Sequence, residues 1–169
     1  DIAALSSAQV RAMSPSQLAQ MTTAQIQSLN KTAVASLTTS QLAALEDPQV
    51  KAFTADQVKA LTTEQLNSLT ESQLASIETG DIAAISGANI AKLSSLQISR
   101  LTTSQVAALT NSQVKALTAE QITNLTDEQI KGMETADIAA LTTAQVRAMS
   151  PSQLAQMTTA QIQSLNKTA

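Results

Sequence analysis

"QVKALTTEQLNSLTES", Gln57 to Ser72, states one eight-residue phrase twice. Cutting the 169 residues into eights from Asp1 gives twenty-one ungapped octads, with Ala169 left over. Self-similarity at a fixed period takes precedence over local propensity in reading a fold. Position two is Val, Ile or Leu in all twenty-one octads, and position five is Leu, Met, Ile or Phe in all twenty-one. These two positions form the expected core, with the five Met residues standing in for Leu. Position one is Gln in sixteen octads, position four is mostly Ala or Ser, and position six is Thr, Ser or Asn in eighteen. Positions three, seven and eight vary and hold most of the charges, including Arg11, Lys51, Lys59, Lys115, Lys131 and Arg147 at position three, as a solvent face does.

An eight-residue period suits neither a continuous helix nor a strand. On one long helix the apolar stripe would drift by about 80° per octad and could not rest on a single partner. On a strand, positions two and five would point to opposite faces. A β-solenoid needs Gly and Asn at its corners, and the chain has only three Gly.

Capping chemistry resolves the period. In "LTTEQL", Leu61 to Leu66, Thr62 and Gln65 make an S/T-x-x-E/Q capping box, and Leu61 and Leu66 are placed as a hydrophobic staple. The same roles recur in "LTTSQV" (Leu101 to Val106) and "LTAEQI" (Leu117 to Ile122). Pro15 and Pro151 follow Ser14 and Ser150, at the first helical position, where a missing N–H costs nothing. Pro48 follows Asp47, which is expected to cap one residue late. Each octad therefore predicts one helix of about one and a half turns, entered at a Thr or Ser and left at the position-five residue. With so few glycines, the exits cannot depend on left-handed C-caps. The expected fold is all-α: a superhelical α-solenoid of very short capped helices, continuous over residues 1–169. Two buried aliphatics and one cap cannot offset the entropy of fixing eight backbones, so stability must come from stacking on neighbouring coils. Small residues at position four fit close approach of those coils.

A longer period overlies the first. Residues 1–33 recur as 137–169, with Ser6 and Ser7 replaced by Thr142 and Thr143. This reads as duplication of a seventeen-octad block and predicts that the natural chain runs on after Ala169 with something close to Val-Ala-Ser-Leu, as part of a longer array.

The composition narrows the function. A net charge of −3 with dispersed cations, and a single aromatic, Phe53, argue against nucleic acid as a partner. No run of eighteen apolar residues and no leader-like segment is present, so membrane insertion is not expected. Without Cys or His, the thiol nucleophile, the common general base and the soft metal ligands are missing, and the hydroxyls sit at cap positions. No catalytic, cofactor-binding or metal residue is assigned, no cofactor is expected, and the chain is not expected to be an enzyme. The nearest constellation is acidic: Asp1, Asp81 and Asp137 replace the position-one Gln, the latter two in "ETGD" and "ETAD" behind Glu78 and Glu134. An Asp complementing a helix N-terminus explains them, and a weak calcium site is the alternative. Asn30, Asn124 and Asn166 begin N-x-S/T sequons, and the cap position explains Asn30 and Asn166 without a glycan.

Units such as QVKALTTE (Gln57 to Glu64) and QVAALTNS (Gln105 to Ser112) resemble the tandem octapeptide arrays of very large bacterial surface proteins of the adhesin or haemagglutinin type, over the whole chain. That resemblance implies an extracellular or cell-surface, elongated protein. A weaker similarity is to the short-helix domains of the flagellar rotor switch protein and of a magnesium transporter, which carry insertions this chain lacks. The leading expectation is a structural or adhesive fibre segment, self-associating along or between chains or acting as a rigid stalk. It follows from the bland solvent face, the long period and the lack of polar capping repeats. The second expectation is a scaffold that binds a protein or peptide partner, with Phe53 and the run from Glu78 to Arg100, including Lys92 and Arg100 at position four, as its candidate surface.

Overall fold

The structure, a computed structural model, describes residues 2–165, and it is all-helical: one 3-10 turn (Ile2–Ala4) and twenty α-helices, with no strand among the described residues. The chain divides into two compact units, Asp1–Ile85 and Ser86–Ala169. The first holds α1 (Ser7–Ala12), α2 (Pro15–Ala19), α3 (Thr23–Ser28), α4 (Lys31–Ala35), α5 (Thr39–Ala43), α6 (Asp47–Lys51), α7 (Ala55–Ala60), α8 (Thr63–Ser68), α9 (Glu71–Ser76) and α10 (Thr79–Ile82). The second holds α11 (Gly87–Ile90), α12 (Ser95–Arg100), α13 (Thr103–Ala107), α14 (Asn111–Ala116), α15 (Ala119–Asn124), α16 (Asp127–Gly132), α17 (Thr135–Ala140), α18 (Thr143–Ala148), α19 (Pro151–Gln156) and α20 (Thr159–Leu165).

In octads such as that of α8 the eight-residue period is six helical residues plus a two-residue corner; in others, such as those of α5 and α10, the helix is five or four residues long. Helix α8 begins after Thr62, whose Oγ1 accepts from the Gln65 N–H at 3.2 Å while Gln65 Oε1 accepts from the Thr62 N–H at 2.8 Å. The corner entering it is Leu61 (φ −60°, ψ 134°) and Thr62 (φ −75°, ψ 161°), two extended residues in succession. Extended corners of this kind suit any residue, and no described residue has positive φ. The solenoid therefore turns without glycine, as the composition requires.

Pro15 and Pro151 open α2 and α19 behind Ser14 and Ser150. Around Pro48 the expectation is corrected. The N-cap is Glu46, Pro48 sits at the second helical position, and Asp47 is the first helical residue, its carboxylate accepting from Ser72 Oγ. Octad register decides this, because Gln49 must occupy the third position to reach back to the Glu46 N–H (2.8 Å).

Within each unit a helix packs against the third helix after it, as α4 does on α7 and α16 on α19. Hydrogen bonds between coils join residues separated by 25 to 31 positions, centred near 28, so one superhelical turn takes about three and a half octads. The half-octad staggers the coils like courses of brick, and each helix touches two in the coil below. Positions two and five fill the interior: Ile26, Leu42, Leu66, Ile98 and Ile130 are wholly buried. The six cations at position three are exposed as expected. Positions seven and eight are not simply solvent, because they meet along the seam between coils, where Ser95 donates to Glu120 at 2.9 Å and Ser152 to Asp127 at 2.5 Å. Position four sits over position seven of the coil below. A Cβ on Gly87 would lie 3.1 Å from the Ala116 Cβ, and Ser36 Oγ lies 3.4 Å from the Ser7 carbonyl oxygen.

Candidate functional site

The position-one glutamine carries more than the capping box. Gln57 Oε1 accepts from the Thr54 N–H (2.8 Å), as in any such box. Its Nε2 then donates to the Ile26 carbonyl (2.9 Å) and the Leu29 carbonyl (2.7 Å), the buried C-terminal end of α3 one coil earlier. The same amide clasp joins Gln41 to Val10 and Met13, Gln49 to Leu18 and Met21, and Gln73 to Leu42 and Leu45. In the second unit it joins Gln121 to Ile90 and Leu93, Gln145 to Val114 and Leu117, and Gln153 to Ile122 and Leu125. One side chain thus satisfies an orphan N–H at the start of its own helix, the position-five carbonyl beyond the end of another, and the second lone pair of a position-two carbonyl that already accepts from its own C-cap N–H, as Ile26 does from Leu29 at 3.1 Å. The sequence carried one sign of this. A capping box accepts Glu or Gln at its third position, yet no octad begins with Glu, and a carboxylate has no N–H to donate.

Where the glutamine is absent, the structure compensates or leaves the bonds unmade. Ala33 begins the fifth octad, and Asn30, besides capping the helix as Thr or Ser does elsewhere, takes over the donation to the earlier coil. Its Oδ1 accepts from the Ala33 N–H (2.9 Å), and its Nδ2 donates to the Leu5 carbonyl (2.9 Å) and the Ala3 carbonyl (3.3 Å). Asn30 is therefore a cap, as expected, and also a tie to the preceding coil. Asn124 is exposed and donates to the Glu120 carbonyl at 2.9 Å, while Asn166 lies outside the described residues.

Among the acidic octad starts, Asp1 is likewise outside the described residues. Asp137 is 4% exposed at the third position of α17, and its carboxylate accepts from the Glu134 N–H, which covers the box half of the glutamine's work. It has no amide for the Val106 and Leu109 carbonyls, which stand 31 and 28 residues earlier, the separations over which Gln153 reaches its own partners. Burial pushes its carboxyl up to about 6, the Glu134 charge adds to the rise, and the Glu134 N–H opposes it. Asp81 is half-buried, and its carboxyl is raised first by burial and then by Glu78. Glu78 and Asp81 share a cleft of about 440 Å³ with Lys51, Ala52 and Phe53. Phe53 itself is 3% exposed, so the ring belongs to the core and adds nothing to a recognition surface. In the second unit Leu96 is 62% exposed on α12, beside the exposed Arg100. No group of three or more acidic, His or Cys side chains is arranged to hold a metal among the described residues. No helix among them is long and apolar enough to cross a membrane.

No curated protein matches this chain. The ALTTAQ repeat matches it four times, over residues 1–31, 34–71, 74–111 and 130–167. Short capped helices, extended corners and a glutamine tying one coil to the last are thus how this sequence builds its array, and the chain belongs to the ALTTAQ repeat family.

Proposed function

We propose that the chain is a structural segment of an extracellular or cell-surface bacterial repeat protein, a non-catalytic fibre or stalk whose job is length and regularity. The observation that carries this reading is the clasp. Gln41, Gln57, Gln121 and Gln153 repeat one amide bridge between coils with nearly constant geometry. A repeat that ties each coil to the one before it transmits load along the array, and stability accumulates with repeat number as in other solenoids. The dispersed position-three cations suit a surface that stays hydrated. Self-association along or between chains belongs to the same reading. Electron microscopy of the native material tests it: thin rods or fibres whose length grows with octad number are expected, and compact particles of fixed size would sink it.

A second reading, a scaffold for a protein partner, is favoured by one feature, the exposed Leu96 beside Arg100. It predicts that Leu96→Asp abolishes capture of that partner and leaves rod formation intact.

A further inference from the structure

Of the three glycines, one has no packing reason to stand where it does. A Cβ on Gly132 would run into the Thr103 side chain, and one on Gly87 would lie 3.1 Å from the Ala116 Cβ, so close approach between coils accounts for both. A Cβ on Gly80, in α10, would meet nothing within 4 Å, and Gly80 does not have positive φ. Its one effect is to loosen the helix, because glycine is a poor helix former wherever no special backbone geometry is needed. The polar ties fail at the same helix. Glu78, the N-cap of α10, makes no side-chain cap bond, and Asp81 stands where most octads have Gln. Asp81 has no amide for the Val50 and Phe53 carbonyls, 31 and 28 residues earlier, and, unlike Asp137, its carboxylate receives no bond from the N-cap N–H. The cleft beside Glu78, Asp81 and Phe53 lets water into the gap.

We propose that Glu78–Ile85 is a built-in yield point of the first unit, a segment that opens and recloses by itself while the helices packed around it stay folded. Elsewhere among the described α-helices at least one tie survives the loss of the standard residues. Asn30 serves α4, Gln49 accepts from the Glu46 N–H of α6, Ser86 caps α11, and Asp137 accepts from the Glu134 N–H of α17. At α10 the hydroxyl cap, the box and the clasp are missing together, and the helix is four residues long against six in α8 and α9. Ile82 and Ile85 are as buried as Leu66 and Leu69 of α8, so the apolar contribution is common to both octads and the difference lies in the ties and the glycine. Regions of low local stability open sub-globally ahead of the rest of a fold. The inference rests on the structural reading above and gives such a segment a release: under load α10 gives way first, lengthens the chain and spares the clasped coils.

Native-state hydrogen exchange of the 169-residue chain, read residue by residue by NMR, tests this. The Ile82 and Ile85 amides donate to the Glu78 and Ile82 carbonyls, as the Leu66 and Leu69 amides donate to Thr62 and Leu66. Protection factors at Ile82 and Ile85 are expected to be at least about tenfold lower than at Leu66 and Leu69. Val58 on α7, against which α10 packs, is expected to keep the α8 level. Glu78→Thr/Gly80→Ala/Asp81→Gln writes into α10 the Thr-Thr-Ala-Gln of residues 22–25 and is expected to raise its protection to that of α8. The converse, Thr62→Glu/Glu64→Gly/Gln65→Asp, moves Glu-Thr-Gly-Asp into α8 and is expected to lower protection at Leu66 and Leu69 by the same factor. The inference is overturned if the parent protects α10 and α8 equally, if Val58 exchanges as fast as Ile82, or if the repaired variant leaves exchange at α10 unchanged. Should the converse variant fail to fold by circular dichroism, the repaired variant decides. Equal protection in particles that are rods by microscopy would overturn the yield point and leave the structural reading standing.

Discussion

The Gln57 Nε2 stands 2.7 Å from the carbonyl oxygen of Leu29, twenty-eight residues earlier, and this bond ties one coil of the first unit to the one before it. Gln57→Glu keeps an oxygen for the Thr54 N–H, deletes the donor and sets a carboxylate against two carbonyls in a site 2% exposed. A cost of about 2 to 4 kcal/mol is expected, from unmade bonds to buried acceptors plus a poorly solvated charge. Gln17→Glu, where the same side chain is exposed, is expected to change stability by less than about 0.5 kcal/mol. Urea denaturation of both variants checks the contrast, and equal losses would mean that the clasp contributes nothing beyond the capping box.

Asp137 predicts a pH dependence of definite sign. Its carboxyl is raised from the ordinary 3.8 to about 6, so the folded state binds the proton more tightly than the unfolded chain does. The contribution is full below the unfolded value and is lost as pH rises through about 6. Besides Glu134 on its own helix, the neighbouring α14 carries Lys115 and α20 carries no titratable group among its described residues. Relative to Asp137→Asn, the parent chain is expected to lose about 1 to 3 kcal/mol between pH 4 and pH 7. Asp137→Gln supplies the missing amide and is expected to be the most stable of the three at pH 7. Thermal melts of all three across that range decide it, and parallel curves would refute the shift.

Much of this architecture is legible in sequence because its determinants are local. The cap, the box and the staple lie within six residues, as Leu61 to Leu66 show, and proline at Pro15 and Pro151 marks the same boundary independently. Coil-to-coil partners are another matter. The bonds from Gln57 to Ile26 and Leu29 depend on how many octads make a turn, and that number is fixed by the small angles at corners such as Leu61–Thr62. Nothing in an octad's composition encodes that angle. The same distance hides the roles of Asp47, whose partner Ser72 is twenty-five residues away, and of Asn30, whose cap is visible and whose tie to Leu5 is not.

Position four sets how closely the coils approach. Ala116 on α14 is half-buried against α11, and a Cβ placed on Gly87 would already stand 3.1 Å from its own. Ala116→Leu adds three carbons to a contact in which even a Cβ on Gly87 would be crowded. A loss of about 1 to 3 kcal/mol is expected, in line with overpacking of an ordered interface. Lys115→Leu, one residue away on the exposed side, is the control and should leave the melting temperature nearly unchanged. If both leucines are tolerated alike, position four is not a packing position.

Asn30 and Ala33 predict a coupled pair. Asn30→Thr restores the common cap but removes the Nδ2 donor to Leu5 and Ala3, and it is expected to cost about 0.5 to 1.5 kcal/mol. Ala33→Gln alone introduces an amide whose carbonyl partner at Leu5, 28 residues earlier, is already taken by Asn30, so little gain is expected. Combined, the two substitutions rebuild the Thr-x-x-Gln unit found at Thr54 and Gln57, and the double variant is expected to recover at least the stability of the parent. The favourable coupling of about 1 kcal/mol or more is read from a double-mutant cycle by urea denaturation. Strict additivity would show that Asn30 acts as a cap alone, whereas coupling means that Asn-x-x-Ala and Thr-x-x-Gln are two spellings of one tie between coils.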